Sequence, residues 1–101
     1  MLIRSQNKEL LVNFNVSAGI EIEERNTKTV VTSYITGCSY LLGEYSTKAK
    51  AMKVLDMIQE AYANVELIPM AVQNIGKMFQ KDIGKAIMNK MIFQMPEEGS
   101  V

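Results

Sequence analysis

The chain reads as an α+β domain: an antiparallel five-stranded meander followed by a covering helix, a second amphipathic helix and a short terminal strand. Three observations predict this. Thr29 to Thr36 is dense in β-branched residues and carries a tyrosine, a composition suited to a pleated, half-buried surface. Ala51, Leu55, Ile58, Tyr62 and Val65 recur at spacings of four, three, four and three, which lays one apolar stripe along a helix. Beyond Pro69, the residues Val72, Ile75, Phe79, Ile83 and Ala86 keep a helical period again.

The elements follow in order. Leu2 to Ser5 is short and apolar-rich, Gln6-Asn7-Lys8 supplies a turn, and Leu10, Val12 and Phe14 alternate with Leu11 and Asn13, giving an opening hairpin. After a break at Asn15 to Gly19, Ile20 and Ile22 alternate with Glu21 and Glu23, so a third strand turns one face to a core and one to water. Arg25-Asn26-Thr27 turns the chain into the fourth strand, Thr29 to Thr36, because Asn tolerates a left-handed backbone. Thr36-Gly37 punctuates it, and Ser39 to Tyr45 forms a fifth strand. The short links imply an antiparallel meander.

Tyr45 to Val65 is the helix that covers this sheet, with Ser46 placed to accept from an unpaired backbone N–H of its first turn. About 20 residues give it roughly 30 Å, enough for the face of a small sheet. Pro69 should end it, since proline lacks the N–H and crowds the preceding turn. The second helix follows, and Gly76 and Gly84 each cost it about 1 kcal/mol relative to alanine. Lys90 to Met95, stopped by Pro96, suits a short strand at a sheet edge. The acidic tail from Glu97 to Val101 reads as loose.

Residues 1–101 are expected to form a single domain. Eleven acidic and eleven basic residues cancel, so nucleic acid is not an expected partner. One cysteine, Cys38, excludes an internal disulfide and a thiolate zinc site, and its expected role is structural. Neither a signal peptide nor a membrane span is visible, which predicts a soluble cytoplasmic protein. The chain has no histidine, the commonest general base and a common metal ligand. No enzyme activity, cofactor or metal is therefore expected.

Several residues merit weighing as sites. Glu21 and Glu23 project from one strand face roughly 7 Å apart, a spacing that can hold a cation or share acid–base work. With no third oxygen ligand at a recognisable spacing, they read as a solvated face. Asp56 and Glu60 read as a wet helix surface partly neutralised by Lys53. The Gly37 to Gly43 interval lacks the Gly-Lys-Ser/Thr ending of a phosphate loop, and Asn15-Val16-Ser17 reads as a turn. Lys77, Lys81 and Lys85 line one helix side four residues apart and form a local positive patch open to an acidic partner or phosphates, although the lack of interleaved aromatics or arginines favours an ordinary solvated helix face. Met57 lies at the edge of the first stripe, while Met88, Met91, Phe93 and Met95 cluster near the end. Methionine adapts to irregular binding faces, so these residues are candidate interface positions in a homodimer.

Ile3-Arg4-Ser5-Gln6, Leu42-Gly43-Glu44-Tyr45-Ser46, Lys50-Ala51 with Val54-Leu55 and Ile58-Gln59, and Phe93-Gln94-Met95-Pro96 carry a resemblance. They resemble small uncharacterised cytoplasmic proteins of Gram-positive bacteria, their phages and integrated elements. The likeness spans most of the first 65 residues and the terminal strand, whereas Pro69 to Asn89 is longer than is usual for that group. These are scaffold motifs, so the resemblance implies origin and carries no catalytic residue. The expectation is a small non-enzymatic interaction protein of a phage or mobile element that binds a host protein or a small ligand to modulate or inhibit it. The alternative is a small metal-assisted enzyme or enzyme subunit that uses the acidic strand face.

Overall fold

A computed structural model describes the backbone of residues 1–73 and 91–101 and the side chains of residues 1–65 and 91–101. The chain forms strands β1 (Leu2–Arg4), β2 (Leu11–Asn13), β3 (Gly19–Arg25), β4 (Lys28–Ile35) and β5 (Cys38–Tyr45). Helix α1 (Lys48–Gln73) and strand β6 (Ile92–Gln94) follow, with short 3-10 turns at Phe14–Val16 and Glu98–Ser100. The class is α+β, as the sequence predicts.

The five strands do not form one meander. They divide into two three-stranded sheets, ordered β2-β1-β6 and β3-β4-β5. Asn13 caps the 3-10 turn after β2, its Oδ1 accepting from the Asn15 N–H at 3.0 Å, and this turn diverts the chain before β3 can pair with β2. The free side of β1 is taken by β6, which lies parallel to it with Ile3 opposite Phe93. The terminal strand is therefore at a sheet edge as expected, in the parallel sense that a return from the far end of the molecule allows.

Local chemistry builds each turn. Ser5 and Asn7 hold the β1–β2 loop: Ser5 Oγ donates to Asn7 Oδ1 at 2.6 Å and accepts from the Leu10 N–H at 3.0 Å. Lys8, at φ 67°, reverses the chain. Thr36 and Gly37 both have positive φ, 36° and 78°, the conformation of the two-residue turns that match strand twist. Asn26 is not left-handed, so the β3–β4 turn closes without the backbone state that the sequence suggested there.

A bulge in β5 joins the two sheets. Thr32 pairs with Leu41 and Val31 with Gly43, which leaves Leu42 as the extra residue. Leu42 is buried, and its carbonyl accepts from the Gln6 N–H at 2.7 Å. The Gln6 side chain completes the clip: its Oε1 accepts from the Glu44 N–H at 2.9 Å, while its Nε2 donates to the carbonyls of Glu44 at 3.1 Å and Pro96 at 3.3 Å. A Cβ at Gly43 would lie 3.1 Å from the Tyr45 hydroxyl and 3.3 Å from the Met95 terminal methyl, so a larger residue here would require those side chains to give way by a few tenths of an ångström.

One apolar core lies between the sheets and the helix. Met1, Ile3, Val12, Val31, Leu42, Tyr45, Ala51, Val54, Ile58 and Met95 are its buried members, with Ile20, Ile22, Tyr62, Val65 and Phe93 packed around them. Val54 takes the buried place expected for Leu55, which is half-buried at the margin. Met95, expected at an interface, is fully buried in this core.

The helix differs from expectation at both ends. Tyr45 belongs to β5, and the cap is Thr47, whose Oγ1 accepts from the Lys50 N–H at 3.2 Å. At the other end the helix continues through Pro69 to Gln73. Proline removes one hydrogen bond at a cost of about 3 kcal/mol, which the turns on either side of it can carry. The rest of the expected second helix, including Lys77, Lys81, Lys85 and Met88, lies outside the described residues.

Candidate functional site

The outer strand β3 and the surface beside it form the candidate site. Among the described residues β3 pairs with β4 alone, so alternate N–H and C=O groups of β3 face away from the sheet. The start of the strand is closed locally by Ser17, whose Oγ donates to the Gly19 carbonyl at 2.9 Å and pairs with Ser33 Oγ at 2.9 Å. The accessible edge therefore begins at Ile20.

Alternation gives that edge two characters. Ile20 and Ile22 face the core and are half-buried, while Glu21 and Glu23 are exposed on the other face. Opposite Glu21 and Glu23 stand Thr32 and Val30, so no cross-strand cation answers either carboxylate. Arg25 approaches Glu23 at 3.5 Å with both side chains half exposed, an ion pair worth little in water.

On the core-facing side the strand borders a cleft of about 420 Å³ lined by Phe14, Ala18, Ile20, Leu55, Ile58 and Tyr62, with Ser17, Gly19 and Gln59. The Phe14 and Tyr62 rings meet at 5.0 Å between centroids, tilted by 51°, an arrangement favourable to aromatic pairs. A neighbouring depression of about 440 Å³ shares Ala18, Gly19 and Ile20 and extends to Glu21 and Tyr34. Among the described residues the cleft lining contains no carboxylate, amine or thiol. Its chemistry is that of an apolar receptor beside a strand edge.

A second polar cluster lies where the C-terminal arm meets the helix. Glu98 accepts from the Ser46 hydroxyl, from the Ser46 N–H at 3.0 Å and from the Lys50 ammonium at 2.9 Å. The Ser46 hydroxyl and Lys50 hold the Glu98 carboxyl down at about 2. Tyr45 donates its hydroxyl to the Pro96 carbonyl at 2.7 Å, and burial, assisted by the charge of Glu98, pushes its pKa up to about 12. The tail is therefore tied down where the sequence suggested a loose end, and Val101 packs on the core. The groups of this cluster pair with one another within the chain, which makes it a structural fastening.

The remaining sequence candidates are dispersed. Met57 and Met91 are exposed, on the helix and just before β6, while Phe93 is half-buried against the core. Cys38 is a free, exposed thiol at the start of β5. No group of three or more Cys, Asp or Glu side chains that could hold a metal ion occurs among the described residues. Sequence reasoning saw the Ile20–Glu23 alternation but missed its position at a sheet edge. It also missed the Phe14–Tyr62 pair, because 48 residues separate the two rings.

Among the described residues no helix is long and apolar enough to cross a membrane. No family model, curated protein or solved structure matches the chain.

Proposed function

We propose that this chain is a small non-enzymatic interaction protein, cytoplasmic and related to phage or mobile-element proteins, that modulates a host protein by receiving an extended segment of it along β3. One observation carries this reading: a strand edge that is unpaired among the described residues runs beside an apolar, aromatic-lined cleft. Main-chain hydrogen bonds to such an edge supply affinity, and a flanking pocket for alternate side chains supplies selectivity. A homodimer fits the same molecule, because the exposed Met57, Met91 and Ile92 leave apolar surface away from the cleft.

The test is chemical-shift mapping on the full chain with a panel of extended hexapeptides of varied composition. Binders are expected to move the amide signals of Ile20 to Glu24 and the ring signals of Phe14. If the binders instead leave these signals in place, or none of the panel binds, the reading is wrong.

A further inference from the structure

The charge and alternation of β3 specify which kind of strand it accepts. We infer that the occupant is an extended polypeptide alternating basic and apolar residues, an inference that rests on the edge reading above.

The argument starts from sheet geometry. A strand added beside β3 places its residues opposite those of β3, and side chains opposite one another share a face. Residues opposite Ile20 and Ile22 therefore turn toward the core side, where Phe14, Leu55 and Tyr62 line the cleft. Those positions favour apolar side chains. Residues opposite Glu21 and Glu23 turn to the outer face, beside two exposed carboxylates that have no cross-strand cation. Those positions favour lysine or arginine, since opposite charges across a strand pair stabilise it and like charges oppose it.

The same geometry disfavours a second copy of β3 as the occupant in the registers that set its glutamates against one another. Antiparallel self-pairing centred on Ile22 brings Glu21 opposite Glu23 twice, and centred on Glu21 it sets that carboxylate against its own copy, whereas centred on Glu23 the like pair is flanked by two Glu21–Arg25 oppositions. Charged residues on edge strands commonly prevent such self-association. Here Glu21, Glu23 and Glu24 outnumber the one cation of the strand, Arg25, so the edge opposes a copy in those registers while leaving a basic strand attracted.

Three synthetic peptides test this on the full chain: valine alternating with lysine, with serine or with glutamate. Binding is read by fluorescence anisotropy and located by chemical shifts at Ile20 to Glu24. The lysine peptide should bind most tightly, weaken as salt is raised, and lose about tenfold in affinity against the Glu21→Lys, Glu23→Lys double variant. That variant should in turn favour the glutamate peptide. Because both positions are exposed, an unchanged thermal midpoint establishes that it folds, and Glu21→Gln, Glu23→Gln provides the milder form with a smaller loss. Equal binding of all three peptides at β3, insensitive to salt and to both variants, would overturn the basic-strand inference while upholding the edge reading. Failure of all three to shift β3 signals would overturn the edge reading itself.

Discussion

At Thr36 the backbone takes a φ of 36°, in the left-handed region that β-branched residues avoid. It does so because Thr36 and Gly37 together make a two-residue turn whose twist suits β4 and β5. Asparagine reaches that conformation more easily, so Thr36→Asn is expected to stabilise the protein by about 1 kcal/mol, seen as a rise in the denaturant midpoint. A fall would show that the threonine makes compensating contacts. The helix provides a second residue-scale contrast. Ile58 is fully enclosed in the core, whereas Leu55 stands at the cleft margin. Ile58→Ala should cost about 2–5 kcal/mol and Leu55→Ala roughly half as much, with Lys53→Ala near zero. Equal shifts of the midpoint for Ile58 and Leu55 would mean that the helix face is misassigned.

At the scale of elements, the C-terminal arm is fastened to the junction between β5 and α1. The carboxyl of Glu98 titrates at about 2 in the folded chain, below its ordinary value of 4.5. The unfolded chain therefore takes up a proton first as pH falls. The stability that Glu98 contributes is complete above about 4.5 and is lost as the pH drops to about 2. Glu98→Gln should lower the thermal midpoint at neutral pH, and the difference from the unsubstituted chain should close across that acid window. A difference that persists unchanged at pH 2 would exclude the charge as its source. Tyr45 acts in the opposite direction of pH. Its phenol is held neutral up to about 12, so its contribution is present below 10 and is lost as pH rises through that interval. Tyr45→Phe keeps the ring but removes the bond to Pro96, and should flatten the alkaline loss of stability.

For the whole molecule, the first and last strands close one sheet while β3, β4 and β5 form the other, and Gln6 ties the two together. Met95 lies at the centre of that closure. Met95→Ala is expected to cost about 2–5 kcal/mol, whereas Met91→Ala, at an exposed site, should fall within about 0.5 kcal/mol of the unsubstituted protein. Phe93→Asp should unfold the domain by setting a charge against the core, where an interface position would have yielded a folded monomer. The proposed homodimer is tested separately by light scattering at micromolar concentration, where a monomeric mass would exclude it.

Local pattern was enough to determine the strands with their approximate limits and the presence of the first helix, though not its run through Pro69 to Gln73, because period-two and helical alternation reflect which side of each element meets water. Ile20 and Ile22 facing inward, with Glu21 and Glu23 outward, were legible in that way. Partner choice was not. Whether β2 pairs with β3, or β1 with β6, depends on contacts between residues about 90 apart, such as Ile3 and Phe93, which no local period encodes. The same holds for the candidate site. Its glutamates were visible, but tertiary structure alone made β3 an outer strand, brought Phe14 to Tyr62 and folded Glu98 back onto Ser46. Alternation is a property of one segment meeting an interface, whereas an edge, a cleft and a fastening arise from where separate segments meet in space.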